Sequence, residues 1–572
     1  MIYCVLFGGL GLADYNRIMP QNAPRGYLAL LVFTAGFATL GVELSASRLL
    51  DPWFGNSLVV WASLIGLILL YLAAGYWLGG VIADRSPRLL TLLRLTGAAA
   101  LGIGLIPTVS RPVLIVASRG VAGLDAGLLI GSMAAMLILF AAPVTLLGCV
   151  SPFAVRLALH DVAGGGKVAG RLYAISTAGS ILGAFLPVLL LIPNIGTRRT
   201  FALLAASLLL VVTIGLVRVG RRCEMLWSLA ALALVMALGW RPAGPLKGTP
   251  GLVYETESAY NYIQVLDFGT ERQLRLNEGQ GIHSVYRPGG GLADGIWDAF
   301  LIAPAFNPAP YGPERVRRVY IGGLAAGTIA RLLTEAYGPI AIDGAELDPQ
   351  IIRVGREWFA MTEPNLNAVA ADARWQLAKG SATDRHLGIS GALLPILPIY
   401  PSTHYQSTDY QSTHYQSTNL SDYDLIAMDA YRPPYIPFHL TTVEFFALAR
   451  ERLAEDGVVA VNVGRTHSDY SLVHAIAATM QQVFPSVYLL DLPDDGGLGN
   501  TLVVATRRPT TLADFRANLP AFDAPLLAAV GQQAMGFVSV AAPPAGTPIF
   551  TDDRAAVEQV VHALVWREMV GR

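Results

Sequence analysis

The sequence is poor in charged residues and in cysteine, and it carries almost no net charge. Only 14% of its 572 residues are charged, against roughly 25% in a typical soluble domain, so the whole chain cannot be soluble. The net charge of −1 argues against nucleic acid as the main partner, because such partners usually require a basic face. Cys4, Cys149 and Cys223 lack the spacing of metal ligands, so we expect no metal site and no disulfide framework.

The apolar residues are concentrated before about residue 240. A helix needs roughly 20 apolar residues to cross a bilayer, and six stretches meet that length: 27–50, 57–80, 89–108, 124–149, 170–193 and 200–218. A seventh run, 226–240, is short and could span the bilayer or lie at its surface. The sequence therefore predicts a transmembrane helical domain over 1–245, with six to seven spans in the plasma or inner membrane.

The basic residues of the loops bear on the orientation of this domain. The richer loops carry Arg85 and Arg88, then Arg156, Lys167 and Arg171, then Arg218, Arg221 and Arg222. The positive-inside rule places these loops in the cytoplasm. Six spans would then leave the following domain inside, whereas a seventh would place it outside. We expect it inside, because the chemistry described below needs a nucleotide-type cofactor.

From residue 251 the pattern becomes that of a soluble α/β protein. Alternating runs over 251–285 predict a small antiparallel sheet, in a subdomain over 251–310. Over 311–572, buried strands alternate with helices, which predicts a Rossmann-like, doubly wound parallel sheet. The expected fold is thus a membrane α-helical bundle, a small β subdomain and an α/β domain.

Acidic residues and a glycine turn follow the predicted parallel strands. The turn over 322–327 contains Gly322, Gly323 and Gly327, and it would let the backbone approach a cofactor at a helix N-terminus. Glu346 ends the second strand and is placed to accept hydrogen bonds from a ribose diol. Asp372 ends the third strand and could bind an adenine amino group. Asp429 ends the fourth and faces the expected reaction space.

These residues resemble the spermidine synthase, or polyamine aminopropyltransferase, family in its membrane-fused form. The resemblance covers roughly 251–510 and is carried by these motifs: Tyr260-Asn261, Ile321-Gly322-Gly323, Glu346-Leu347-Asp348, Asp372 and 423–429. The helical half also resembles fused members at 41–44 and 75–80, as does the ending 551–558. The family transfers an aminopropyl group from decarboxylated S-adenosylmethionine to an amine.

The resemblance implies a role for each matching residue. It implies that Asp429 is the catalytic aspartate, which binds and deprotonates the amine, and that Glu346 and Asp372 bind ribose and adenine. Asn261 stands where the family has a cofactor-binding glutamine. Candidate acceptor-binding residues are Asp298, Tyr431, Asp552 and Asp553. Asp552 and Asp553 could equally cap a C-terminal helix.

Two departures concern the substrate. Ala325 stands where the family has an aspartate that binds the amino group of the cofactor. Arg432 stands where the family has a second aspartate, which holds the acceptor amine. An arginine at that position would repel a diamine. Three possibilities stay open: a different acceptor, compensation by extra carboxylates such as Asp298, Asp552 and Asp553, or a loss of aminopropyl transfer. The expected partners are a small amine and the lipid bilayer. The sequence leaves a homo-oligomer open and does not identify the acceptor.

Two other functions remain as alternatives. One is a methyltransferase that uses ordinary S-adenosylmethionine. This cofactor keeps its carboxylate, and Ala325 would leave room for it without repulsion. The other is a polyamine transporter or sensor with a non-catalytic soluble domain, for which Glu43 inside the first predicted span is a candidate residue. Glu43 could instead pair with an arginine and join helices.

A five-residue polar repeat, of which Ser-Thr-His-Tyr-Gln is one unit, occupies 401–419. A period of five fits neither a helix nor a solenoid, and the composition cannot form a core. We expect a low-complexity insert, away from the ligand edge of the sheet.

Overall fold

The computed structural model describes residues 24–55, 58–120, 127–159, 164–241, 246–277, 281–379, 423–431, 436–491 and 498–570. The chain forms two compact units, Met1–Gly248 and Thr249–Arg572, which we name the helical unit and the α/β unit. The repeat at 401–419 and Arg432 lie outside the described residues.

The helical unit is built from long apolar helices. They are α1 (Arg25–Phe54), α2 (Leu58–Arg85), α3 (Leu89–Gly120), α4 (Gly127–Gly148), α5 (Val150–Ala158), α6 (Gly165–Leu186), α7 (Ile192–Ile195), α8 (Thr197–Val219) and α9 (Arg222–Trp240), with a π-helix at Pro187–Leu191 between α6 and α7. In the described part of the chain, seven helical stretches are long and apolar enough to cross a membrane. The short run that the sequence left open is the seventh of them, α9, with 19 residues.

Helices α1 and α6 pack with their backbones in close contact. A Cβ atom added at Gly183 would lie 2.1 Å from the backbone oxygen of Phe37, and one at Gly179 would lie 2.0 Å from that of Phe33. The hydroxyl of Ser180 donates to the backbone oxygen of Gly36 at 3.2 Å. In a bilayer, small residues allow this approach where lipid offers no hydrophobic drive for association.

The α/β unit begins with a four-stranded antiparallel sheet. Its strands are β1 (Leu252–Glu257), β2 (Tyr262–Asp267), β3 (Arg272–Leu276) and β4 (Ile282–Tyr286), in that spatial order. The alternating apolar residues of β2 and β3 point into a small core with Val354 and Phe359. The small antiparallel sheet that the sequence predicts is therefore present.

The main sheet has eight strands in the order β12-β10-β11-β9-β8-β5-β6-β7. Strands β5 (Arg318–Gly322), β6 (Ala341–Glu346), β7 (Leu366–Ala370), β8 (Tyr423–Met428) and β9 (Leu453–Thr466) run parallel. Strands β10 (Ser486–Asp491), β11 (Leu498–Thr506) and β12 (Val538–Val540) continue the sheet in antiparallel pairs. The strand order places β5 at the centre of the five parallel strands, where the crossovers reverse direction.

Helices cover both faces of this sheet. One face packs against α10 (Ile296–Ala299), α11 (Thr328–Tyr337), α16 (Leu512–Asn518) and α17 (Pro525–Ala534), and the other against α13 (Ala373–Ala378), α14 (Val443–Arg452), α15 (Ser471–Met480) and α18 (Val557–Val570). Helix α12 (Pro349–Trp358) follows β6. The expected fold class, apolar helices followed by a Rossmann-like doubly wound sheet with a small β subdomain, is confirmed.

The close packing of α1 and α6 predicts an unequal effect of two identical substitutions. Gly183→Ala would push a methyl group against the backbone of α1 and should destabilise the helical unit by about 1–3 kcal/mol. Gly66→Ala in α2 meets no atom within 4 Å and should be neutral or stabilise the helix by up to ~1 kcal/mol. Thermal unfolding in detergent measures both. Equal unfolding temperatures for the two variants would contradict this packing.

Candidate active site

The predicted cofactor and catalytic residues meet at the carboxyl edge of the main sheet. Parallel register pairs Gly322 with Ala345 on one side and with Met428 on the other. The backbone N–H of Gly323 donates to the oxygen of Ala345 at 3.0 Å, and that of Asp429 donates to the oxygen of Gly322 at 2.8 Å. The glycine turn therefore lies directly between the ends of β6 and β8.

Glycine is required at position 323 by two features of the turn. Its φ of +86° lies in the left-handed region. A Cβ atom there would also stand 2.5 Å from the backbone oxygen of Asp429 and 2.6 Å from the Cα of Ala430. Gly327, with a φ of +90°, is the residue that precedes α11. The turn thus brings the start of α11 to the ends of the neighbouring strands, while the backbone N–H groups of residues 323–327 all donate within the protein.

Glu346 ends β6 and is held against the glycine turn. Its Oε2 accepts from the backbone N–H of Ala325 at 2.9 Å, and its Oε1 accepts from that of Asp348 at 3.0 Å. Burial raises the pKa of Glu346 to about 7, although these backbone hydrogen bonds favour the ionised form. The carboxyl is consequently fixed in orientation before any ligand is bound.

Asn261 belongs to a network between the small sheet and the start of α12. Its Nδ2 donates to Asp348 Oδ2 at 3.0 Å, and its Oδ1 accepts from Asn277 Nδ2 at 3.0 Å. Asp348 also caps α12 by accepting from the backbone N–H of Gln350 at 3.0 Å. Asn261 is thus hydrogen-bonded to Asp348, which follows Glu346 by two positions in the sequence.

Asp372 caps α13 and pairs with a histidine. Its Oδ1 accepts from the backbone N–H of Trp375 at 2.9 Å, and its Oδ2 lies 2.7 Å from His439 Nε2. Burial opposes ionisation of this carboxyl, but the bonds from His439 and the backbone outweigh it and lower the pKa of Asp372. The pairing of His439 with Asp372 is a contact that the sequence did not predict, because the two residues are 67 positions apart.

Asp429, at the end of β8, has a hydrogen bond on each carboxyl oxygen. Oδ2 accepts from Trp297 Nε1 at 2.9 Å, and Oδ1 accepts from Asn462 Nδ2 at 2.7 Å. Burial raises the pKa of Asp429 to about 7, and the two hydrogen bonds limit this rise. A carboxyl that titrates near neutral pH is suited to accept a proton in a reaction.

The two residues that hold Asp429 were missed from the sequence. Trp297 stands on the short helix α10, and nothing in its local pattern distinguishes it from a core residue. Asn462 gave a readable signal, because it is a polar residue, 5% exposed, within the otherwise apolar and buried segment 458–463 of β9. Buried amides require hydrogen-bond partners, and a carboxylate at the neighbouring strand end is such a partner.

The candidate acceptor-binding residues lie in different settings. Tyr431 is next to Asp429, and its hydroxyl donates to the backbone oxygen of Asn462 at 3.1 Å. Asp298 accepts from the backbone N–H groups of residues 293 and 295, at 2.8 and 3.3 Å, and so caps α10. Asp552 forms a two-bond ion pair with Arg374, both bonds at 2.7 Å, and Asp553 is exposed. Only Tyr431 among these four has a described contact in the Asp429 network.

Sequence comparison finds two curated relatives of the chain, while no family model matches it. The chain is 29% identical over 253 residues to a probable polyamine aminopropyl transferase of Bifidobacterium longum, covering 44% of each chain. It is 26% identical over 209 residues to a polyamine aminopropyltransferase of Vibrio vulnificus, covering 36% of this chain and 55% of the relative. The chain thus spans about half the length of the curated relatives that it matches.

Among solved structures, the chain is similar to a probable spermidine synthase of Corynebacterium glutamicum. The two are 20% identical with a TM-score of 0.37, over 53% of this chain and 96% of that one. A spermidine synthase of Thermotoga maritima has 15% identity and a TM-score of 0.33, over 56% and 87% of the two chains.

Proposed function

The sequence matches support the polyamine aminopropyltransferase family for the part of the chain that they cover, and from this we propose that the chain is an aminopropyltransferase. It would transfer an aminopropyl group from decarboxylated S-adenosylmethionine to a small amine. The observation that carries the proposal is Asp429, a buried carboxyl with a pKa of about 7. Its backbone lies so close to the neighbouring turn that only glycine fits at position 323. The acceptor amine is left open by the residues described.

The residues at the sheet edge fit an adenosyl group. The turn over 322–327 would lie against the adenosyl group, Glu346 would accept hydrogen bonds from the ribose hydroxyls, and Asp372 would accept one from the adenine amino group. His439 occupies one oxygen of Asp372 at 2.7 Å, so a bound adenine would share this carboxylate with it.

Asp429 would act as the proton acceptor. The amine nitrogen attacks the carbon next to the sulfonium, the C–S bond breaks with its electron pair on sulfur, and the nitrogen loses a proton to Asp429. A primary ammonium has a pKa near 10. A carboxyl at pKa 7 rather than 3.8 reduces the cost of this proton transfer by about 4 kcal/mol, at 1.36 kcal/mol per pKa unit. The buried position of Asp429 therefore favours the reaction.

A methyltransferase is the second candidate, and Ala325 is the observation that favours it. The backbone N–H of Ala325 donates to Glu346, and its methyl side chain puts no carboxylate in the glycine turn. A co-substrate that keeps its own carboxylate would meet less repulsion there than with an aspartate.

The reaction products separate these functions. We expect the purified full-length chain to release methylthioadenosine from decarboxylated S-adenosylmethionine in the presence of one member of an amine panel. Asp429→Asn should abolish turnover and largely spare nucleoside binding, because it removes the base and keeps the shape. Release of S-adenosylhomocysteine would support the methyltransferase instead, and polyamine binding without turnover would support a transporter or sensor. Unchanged turnover in Asp429→Asn would remove this residue from the mechanism.

The pH dependence follows from the raised pKa of Asp429. Only the ionised carboxyl accepts a proton, so kcat/KM should rise with pH through a midpoint near 7. Trp297→Phe removes one hydrogen bond to the carboxylate and should move this midpoint upward, because the ionised form loses a donor. Trp358→Phe, on α12, is the matched control and should leave it in place. A wild-type midpoint near 4 would show that the carboxyl is not desolvated during the reaction.

We also propose that the helical unit anchors the enzyme in a plasma or inner membrane with the α/β unit in the cytoplasm, where nucleoside substrates are available. Epitope tags inserted after Ser86, in a basic loop, and after Arg572 test this by protease protection. Five helices that can span lie between the two tags. If all five cross, the tags lie on opposite sides of the membrane, so the proposed location requires that α9 does not cross. Protection of the C-terminal tag in intact cells is expected, and its digestion there would contradict the cytoplasmic location.

A further inference from the structure

A second asparagine lies behind the one that binds Asp429. Asn500, on β11, donates from Nδ2 to Asn462 Oδ1 at 2.8 Å. Asn462 in turn donates from Nδ2 to Asp429 Oδ1 at 2.7 Å. The three side chains form one directed chain of hydrogen bonds, from β11 across β9 to the end of β8.

The sheet register explains why these side chains meet. Strands β9 and β11 are antiparallel, with Asn462 opposite Leu502 and Asn500 opposite Gly464. Asn500 is therefore the diagonal neighbour of Asn462 on the same face of the sheet, because side chains two apart along a strand share a face. Leu502 belongs to the core on that face.

A carboxamide has a donor end and an acceptor end, and only the donor end stabilises a carboxylate. Asn462 is 5% exposed, so each end needs a partner inside the protein. The Asn500 amide satisfies the acceptor end and thereby holds the donor end toward Asp429. Tyr431 and Gly464 contact one another beside this amide through a hydrogen bond from the Gly464 N–H to the Tyr431 hydroxyl at 2.5 Å.

We propose that Asn500 is a positioning residue, which fixes the orientation of the Asn462 amide so that it donates to Asp429. The catalytic consequence of this role rests on the function proposed for Asp429. The structural consequence does not, because the ionisation of Asp429 can be measured without turnover. Without the Asn500 donor, the Asn462 amide is free to turn its oxygen toward Asp429, which disfavours the carboxylate.

Among the residues that the structure describes, few other charged or titratable groups bear on Asp429 from the elements packed against it. The Tyr431 phenol interacts with its charge and has a raised pKa. On α10, Asp298 is bound to the backbone of its own cap. On β9, Arg465 donates to Asp491 at 2.7 Å. Glu346 lies across the glycine turn, bound to backbone N–H groups. Asn500→Leu leaves all of these groups in place.

The test follows the carboxyl of Asp429 directly. Full-length protein with 13C-labelled aspartate is titrated by infrared difference spectroscopy, and the spectrum of Asp429→Asn is subtracted to isolate this group. Asn500→Leu, which has a similar volume and no donor, should raise the titration midpoint of Asp429 by about one pH unit. Asn367→Leu, the same substitution on β7, where Asn367 donates to Asp343, is the matched control and should leave the midpoint unchanged.

A double-mutant cycle tests whether Asn500 acts through Asn462. Asn462→Ala should raise the midpoint by at least as much as Asn500→Leu, and the double variant should match Asn462→Ala alone. An unchanged midpoint in a folded Asn500→Leu protein would overturn the proposal. A shift by Asn500→Leu that persists in the Asn462→Ala background would also overturn it. If the midpoint moves as expected but no amine is aminopropylated, the proposed function fails while the positioning role stands.

Discussion

The burial of one carboxyl group constrains the rest of the site. Removing the charge of Asp429 from water is costly, and the chain compensates with two hydrogen bonds, from the indole of Trp297 and the amide of Asn462. These donors come from a helix and a strand that are distant in sequence. The packing of α10 on the sheet, the register of β9 and the close approach of Gly323 to the backbone of 429 all serve to keep this carboxyl in one position.

The acidic residues at the sheet edge differ in pKa because their surroundings differ. Burial raises the pKa of both Glu346 and Asp429 to about 7. Burial opposes ionisation of Asp372, but hydrogen bonds from His439 and from the backbone N–H of Trp375 outweigh it and lower the pKa of this carboxyl. Titratable groups with perturbed pKa values at one strand edge are typical of functional sites. Carboxyls that titrate near neutral pH and one that stays ionised there therefore coexist at one edge of the sheet.

The sequence was sufficient to predict the fold and the common edge of the acidic residues. Hydrophobic length identified the helices, and strand–helix alternation identified the parallel sheet, since both are local patterns. The partners of Asp429 were not predictable in this way. Trp297 and Asn462 reach it across 132 and 33 residues of sequence, and only the three-dimensional register brings them together. The same applies to His439 and Asp372, and to the ion pair that holds Asp552 on Arg374.

The most direct test of this account is a structure of the full chain bound to methylthioadenosine and an acceptor amine. We predict that the ribose hydroxyls bind Glu346, that the adenine amino group binds Asp372, and that the amine nitrogen lies within hydrogen-bonding distance of Asp429. A nucleoside bound away from the turn at 322–327, or an amine out of reach of Asp429, would contradict it.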